Sequence, residues 1–398
     1  MKIYSPKLFI EINNSEYIFA VGDENEKKNF QIIYKSIEQL QGIQKKKITD
    51  FDLVFNTIKK NIYAIEQKLN FTFKETFLVI NNFDCSFINL TGYKKLNGSQ
   101  ILKENISYIL NSIKSTINET EKKKIILHIF NSKYVLDKKN IENLPIGLFG
   151  DFYSQEISLS LINENDYNNL KNIFNKCNLK VKKILLKSFV EGSYISNKNE
   201  NLSTFYQIKI NEQDSELFYF ENNSLKLEQS FNFGSDLIAR DISKVTSLKI
   251  KIVKKIINNL SFTCDISKDE LVEKEIFENE HYIKIKKKLL LEISEARIEE
   301  LLERMLVKNI NLVSFNKYSK VVFIKINDQS HFKCFKNIYS SVLKKYNKLT
   351  VNFSKNISIE DLMNNVNKIV HFGWKKEAVP IIHSKKSLLA RFFDKLFS

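Results

Sequence analysis

Glycine, proline and cysteine are all scarce in this chain of 398 residues, which has nine glycines, three prolines and four cysteines. The cysteines, Cys85, Cys177, Cys264 and Cys334, lie far apart, which excludes a zinc knuckle or a paired redox motif and fits a reduced, cytoplasmic setting. The five histidines, His128, His281, His331, His371 and His383, lack the spacing of a metal-binding pair, so no metal site is expected. His128 falls in an apolar run and reads as a satisfied structural histidine. No Gly-X-Ser-X-Gly elbow and no Cys/His arrangement marks a nucleophile, so no catalytic residue is assigned. No run of ~18 apolar residues occurs, and the N-terminal stretch lacks an apolar core followed by a small-residue cleavage site. By these signals the chain neither crosses a membrane nor enters a secretion path.

What is abundant is lysine, asparagine and isoleucine along the whole length, as an AT-rich coding bias would produce. Lys and Arg number 62 against 46 Asp and Glu, a formal charge of +16. That balance suits acidic lipid or nucleic acid, but the lysines form no block or Arg-rich arm that would mark a nucleic-acid groove, so nucleic acid is not expected as a partner. The length exceeds one ordinary core and implies two domains or more.

The chain opens as a hairpin, Lys7 to Ile12 and Glu16 to Val21, then a third strand, Phe30 to Tyr34. From Phe51 to Leu69 the apolar period becomes helical, and Thr76 to Ile80 reads as a strand. Residues 81–162 read as a compact insert, in which Ser99 can cap a helix and Lys124 to Phe130 and Glu156 to Leu161 are strands. A helix, Asp166 to Cys177, and a strand, Val181 to Leu186, follow. A second meander then begins: Thr204 to Ile210, Ser215 to Phe220, Leu225 to Phe233. Helices over 236–308 and a returning strand, Val321 to Ile326, complete it. The second half repeats the plan of the first, which predicts two related α/β domains facing each other across a cleft.

The last fourteen residues, KKSLLARFFDKLFS, form an amphipathic pattern. At helical spacing Leu388, Leu389, Phe392, Phe393, Leu396 and Phe397 share one face, flanked by the basic Lys385, Lys386, Arg391 and Lys395. Such a helix docks on its own domain, meets a partner, or lies in an anionic membrane interface.

The stretch IILHIFNSKYVLDKKNIENLPIGLFGDFYSQEISLSLI, Ile125 to Ile162, resembles the corresponding segment of the bacterial cell-division protein FtsA in its order of His, Tyr, Asp, Asn, Pro-hydrophobic-Gly and Gly. Asn178 to Val181, Gly234 before Asp241-Ile242, ARIEELLERM from Ala296 to Met305, and the terminal helix follow in the family's order. The resemblance implies an actin-like, ribonuclease H-like two-domain fold. It assigns 1–80 and 163–195 to subdomain 1A, with 360–374 returning to it, and 81–162 to the inserted subdomain 1C in place of an actin subdomain. It assigns 196–235 with 309–359 to 2A, 236–308 to 2B, 375–384 to a linker, and 385–398 to a membrane-targeting helix. The pilus-assembly actin homologue PilM carries a similar insert and is the alternative, and an actin-fold ATPase or kinase is a rival of another class. The tail favours FtsA.

The family's function, so implied, is to polymerise, bind the C-terminal peptide of FtsZ and tether its filaments to the inner face of the cytoplasmic membrane at the septum. Anionic lipids, the chain itself, and other division proteins docking on 81–162 are the implied partners. Arg297 and Glu300 match the FtsZ-contacting positions, with Ala296 where the family often has proline; Arg can hold a carboxylate bidentately.

The family's Mg-ATP site departs from its pattern here. Phosphate loops use glycine so that backbone N–H groups can approach the phosphates. Glu11-Ile12-Asn13-Asn14 stands where the family has an acid and then a glycine, and Lys209-Ile210-Asn211-Glu212-Gln213-Asp214-Ser215-Glu216 replaces the second glycine run. No glycine lies between Gly192 and Gly234. The adenosine loop aligns with Lys325-Ile326, and Glu11, Gly234 and Lys255 are the remnants. Three carboxylates, Glu212, Asp214 and Glu216, would repel a triphosphate. The expectation is a degenerate site, weak nucleotide binding and no hydrolysis, and so no cofactor.

Overall fold

A computed structural model describes residues 6–24, 30–81, 83–259, 269–278, 281–313, 315, 319–346 and 349–378. The amphipathic stretch 385–398 and most of the expected linker lie outside the described residues. The chain divides into two compact units, one of residues up to Leu186 together with those from Asn367 on, the other Lys187–Val366.

The first unit begins with β1 (Lys7–Ile12), β2 (Glu16–Glu24) and β3 (Phe30–Gln39), a small hairpin of β4 (Ile43–Gln44) and β5 (Lys47–Ile48), helix α1 (Phe51–Leu69) and β6 (Glu75–Ile80). The insert follows as β7 (Cys85–Lys95), α2 (Lys103–Thr120), β8 (Lys124–Leu136), β9 (Lys139–Ile141) and β10 (Phe152–Asn163). Helix α3 (Glu164–Lys176) and β11 (Lys180–Leu186) then complete the main sheet, ordered β11-β6-β1-β2-β3. Strands β1, β2 and β3 form an antiparallel meander, while β6 pairs parallel with β1 and β11 parallel with β6. The central β1 is buried along nearly its whole length, and β3 at the edge alternates partly buried with exposed residues, as position in a sheet dictates. Helix α1 is set by its ends as well as its period. The Asp50 carboxylate accepts from the Leu53 N–H at 2.9 Å, Asn70 closes the helix in a left-handed conformation, and Val54, Ile58, Ile62 and Ile65 are buried.

The insert is a four-stranded antiparallel sheet, order β7-β10-β8-β9, with α2 against it. It has its own core, in which Ile106, Ile109, Ile113 and Ile117 of α2 meet Ile157, Leu159 and Leu161 of β10. Ser99 does not cap α2. Its hydroxyl donates to the Leu96 carbonyl, because the segment Ser99–Ile101 pairs with the loop Gly147–Gly150 instead of entering the helix. The helix starts at Lys103, where the Asn105 side chain accepts from the Leu102 N–H at 2.7 Å.

The second unit begins with α4 (Lys187–Lys198), so this helix groups here and not with the segment 163–186 before it. The reason is packing: the Phe220 ring lies where a Cβ on Gly192 would stand, and Glu191 is ion-paired to Lys209. Its elements are β12 (Phe205–Ile210), β13 (Ser215–Glu221), β14 (Ser224–Phe231), α5 (Asp236–Thr246), α6 (Ile250–Asn259), α7 (Lys287–Leu302), α8 (Ile310–Val313), β15 (Val321–Ile326), α9 (Gln329–Lys345), β16 (Thr350–Phe353) and α10 (Ile359–Phe372). The sheet order is β14-β13-β12-β15-β16, with β12, β13 and β14 antiparallel and β15 and β16 added in parallel. This repeats the order of the first unit. One face carries the main core, where Tyr206, Ile208 and Ile210 of β12 meet side chains of α5, α6 and α9. The other face carries Phe205, Gln207 and Lys209, and Phe205 stacks on Phe220 with ring centroids 4.8 Å apart. The boundary between the units falls within α10.

The expected linker does not begin at residue 375. The Asn131 N–H of β8 donates to the Lys376 carbonyl, and Ala378 N–H donates to the Ile129 carbonyl, both at 2.7 Å. Glu377 is pinned as well. Its carboxylate accepts from His128 Nδ1 at 2.8 Å and from Lys183 Nζ at 2.7 Å. The Leu186 N–H donates to His128 Nε2 at 3.2 Å, so the ring proton belongs on Nδ1 and both nitrogens are satisfied.

Candidate functional site

The segments expected to hold phosphate loops form the tight turns β1–β2 and β12–β13, one in each unit. In the first, Glu11 is buried in β1 and Asn14 is exposed at the tip. The Asn13 side chain folds back on the turn: its Oδ1 accepts from the N–H groups of Ser15 at 2.9 Å and Glu16 at 2.8 Å. Its Nδ2 reaches the Glu11 carboxylate at 3.3 Å. The N–H groups that a glycine turn would present to an anion are thus satisfied by the asparagine itself.

The second turn closes the same way. Asn211 N–H donates to the Asp214 carbonyl at 2.9 Å, and Asn211 Nδ2 donates to the Asp214 carboxylate at 2.6 Å. The first N–H groups at the head of α5 are spent on the turn: Ser235 donates to the Asn211 carbonyl and Asp236 to the Glu212 carbonyl, both at 2.9 Å. Gly234 permits this approach. A Cβ there would stand 2.4 Å from the Asn211 oxygen and 2.6 Å from the Glu212 oxygen.

The three carboxylates of this run do not converge on one point. Glu212 pairs with Lys254 at 2.5 Å, Asp214 with Asn211, and Glu216 is buried on β13 beside Lys209. Lys209 itself is buried and bound to Glu191 at 2.6 Å. Burial opposes both charges, but each is held by the other: the Lys209 ammonium keeps the Glu191 carboxyl below its usual range, and Glu191 with Glu216 keeps the Lys209 ammonium above its own.

A cavity of about 220 Å³ lies beside this turn, lined by Glu212, Asp236, Lys254, Asp328 and His331 among others. Lys254, one residue before the position read from sequence, faces it. Lys255 instead forms an ion pair with Glu278. Burial pushes the His331 imidazole down to about 4, and its Nε2 lies 3.0 Å from the Tyr339 hydroxyl, so it brings no cation to this cavity at neutral pH. Lys325 is absent from it as well. It sits within β15 and lines a second cavity, while the loop after β15 is tied by Asn327 Nδ2 to Asn211 Oδ1 at 2.5 Å. Sequence reading had no signal for Lys254 or Asp328; both come near the turn only through the packing of α6 and α9.

Arg297 and Glu300 are brought together on α7. Arg297 Nη1 donates to Glu300 at 2.6 Å, its Nε donates to Asp241 of α5, and Arg304 holds the other Glu300 oxygen at 2.5 Å. These charges are already partnered within the unit, on a partly exposed face. Among the described residues no cluster of three or more His, Cys, Asp or Glu could hold a metal ion, and no helix is long and apolar enough to cross a membrane.

A meander followed by two parallel strands, used twice with a sheet inserted after the fourth strand of the first copy, defines an actin-like protein. No family model matches the chain. It is 23% identical over 299 residues to the cell division protein FtsA of Buchnera aphidicola subsp. Schizaphis graminum, covering 74% of this chain and 70% of that protein. It is 19% identical over 268 residues to FtsA of Bacillus subtilis, covering 66% of this chain and 60% of that one. Among solved structures, a PilM-PilN type IV pilus biogenesis complex is similar over 93% of this chain and 97% of the matched chain, at 7% identity and a TM-score of 0.49. The chain is a divergent relative of the FtsA cell-division proteins.

Proposed function

We propose that this chain is a non-enzymatic division adaptor: an actin-like body that assembles with its own copies, binds the C-terminal peptide of FtsZ, and holds FtsZ filaments on the inner face of the cytoplasmic membrane at the septum. The observation that carries this reading is the sequence match to FtsA across about three quarters of the chain. The surface around Arg297 and Glu300 is the proposed peptide contact, in which an acidic peptide would compete with Asp241 and Glu300 for the guanidinium. Self-association and the docking of other division proteins are assigned to the insert. There Leu102, Leu144, Ile146, Leu148 and Phe149 form an exposed apolar cluster.

The membrane anchor is residues 385–398. Fully burying six large apolar side chains is worth ~9–18 kcal/mol, against a comparable cost of ordering the segment. One anchor therefore holds weakly and an assembled row of them holds firmly. The nucleotide site is proposed to be degenerate, because the N–H groups of both turns have internal acceptors and the cavity beside the second is rimmed by Glu212, Asp236 and Asp328.

Liposome co-sedimentation of the full chain and of a chain ending at Ser384, each with and without FtsZ, tests the adaptor. The full chain is expected to pellet with anionic liposomes and carry FtsZ down. Pelleting of the truncated chain would sink the anchor, and FtsZ left in the supernatant would sink the adaptor. Micromolar binding of Mg-ATP by calorimetry would overturn the degenerate site.

A further inference from the structure

On the second unit's sheet face opposite its main core lies a cavity of about 320 Å³, distinct from the small one beside the β12–β13 turn. Gln207 of β12, Phe323 and Lys325 of β15, Tyr194 and Lys198 of α4, and Lys355 after β16 line it. Gln207 and Phe323 are direct neighbours across the parallel β12–β15 pair, and Lys325 lies one step along beside Lys209.

Two of these groups lack what burial demands. Gln207 is 2% exposed; its Nε2 donates to Glu191 at 3.2 Å, which fixes the amide's orientation, yet its Oε1 has no hydrogen-bond partner among the described residues. A buried acceptor left so has lost its water without compensation, so a donor is called for. Lys325 is partly buried, and its ammonium makes no hydrogen bond or ion pair among the described residues. Burial, with Lys209 and Lys187 nearby, lowers its pKa, and Glu191 and Glu216 only partly offset them.

The two carboxylates on the wall are already engaged. Glu191 is neutralised by Lys209 at 2.6 Å, and Asp361 accepts from the Tyr194 hydroxyl at 2.8 Å. Lys198 rests over the Tyr194 ring, 4.5 Å from its centroid. Lys198 and Lys355 are exposed to solvent, so what remains unanswered among the covered groups of the cavity is the Lys325 charge and the Gln207 acceptor, on the same sheet face as the aromatic Phe323.

We infer that this cavity binds a small organic acid that also carries a hydrogen-bond donor, its carboxylate or phosphate on the Lys325 ammonium and its hydroxyl or N–H on Gln207 Oε1. The site is separate from the turns at which a nucleotide phosphate would be sought, and it stands whether or not the chain tethers FtsZ. The volume admits a metabolite-sized acid and leaves no room for a macromolecule beyond a chain end.

The test is thermal unfolding of the full chain with millimolar glycerol 3-phosphate, with methyl phosphate, and with sodium chloride at matched ionic strength, at a pH where both phosphates are dianions. Glycerol 3-phosphate is expected to raise the melting temperature above the salt control, and methyl phosphate, which has no donor, to raise it less. Lys325→Met, which removes the charge and keeps the stem, is expected to weaken the apparent affinity by about tenfold or more. Without ligand that variant should melt at or above the wild type, since it loses only an unpaired ammonium. No stabilisation beyond salt in the wild type, equal stabilisation in Lys325→Met, or an unliganded Lys325→Met that melts well below the wild type would each overturn the inference.

Discussion

The buried pair Lys209–Glu191 makes the sharpest prediction. The two side chains are 6% and 4% exposed and meet at 2.6 Å. Removing one partner strands the other charge in the interior, and losses of this kind run to about 3–5 kcal/mol. Lys209→Met should therefore unfold in urea at neutral pH with that loss of stability, a large part of the ~5–15 kcal/mol typical of a domain. The protonation of Glu191 follows from the same pairing. The Glu191 carboxyl is held at about 2 in the folded protein against an ordinary 4.5.

The sign follows from the direction of the shift. The Glu191 contribution is complete above about 4.5 and is lost as pH falls through about 2. In Lys209→Met burial dominates instead and raises the carboxyl, so that contribution reverses and stability is lost as pH rises. The gap between wild type and variant must then be widest near neutrality and shrink in acid. Replacing both partners, Lys209→Met with Glu191→Leu, should recover only part of the loss, because the buried Glu216 still loses its neighbouring ammonium and Gln207 Nε2 its acceptor. Urea unfolding of the three proteins at neutral and acid pH measures all of this. A single-variant loss below about 1 kcal/mol, or a gap that does not change with pH, refutes the reasoning.

Two further outcomes are expected. Glu377→Gln leaves Lys183 without its carboxylate and weakens the His128 bond, so the first unit should lose about 1–3 kcal/mol. Wild-type stability from this group is present above 4.5 and lost as pH falls through about 2, and the variant should lack that acid-side dependence in chemical denaturation. Gly234→Ala forces a methyl against two carbonyl oxygens and should cost at least about 1 kcal/mol, with faster amide exchange at Ser235 and Asp236; unchanged exchange would count against the packed turn.

Strands and helices with strong periodicity were legible to the residue. β1 begins at Lys7 and ends at Ile12, α1 spans Phe51 to Leu69, and β15 spans Val321 to Ile326, as the apolar patterns require. Helix α4 was not legible, because its buried residues mix Phe189, Val190 and Ile195 with Ser188, Glu191, Gly192, Ser193 and Ser196, small or polar residues that break up the apolar stripe. Those residues are inside because the sheet approaches the helix backbone closely at Gly192 and because Glu191 has a partner on β12. Strand β7 was likewise unread, its burial alternating between partly covered and exposed positions, so that its pairing with β10 and not its hydrophobicity defines it.

The sequence by itself determined the repeated order of strands, the separate insert and the loss of glycine from both turns, because each is a local property of composition and period. Only the tertiary structure decided which charges meet. His128 and Glu377 are joined across 249 positions, Lys209 is bound to Glu191 and does not face a phosphate, and Lys325 is turned into a cavity with the open acceptor of Gln207. A carboxylate or an ammonium carries no mark in the sequence of the partner that burial will require of it; that partner is set by the packing of sheet and helix.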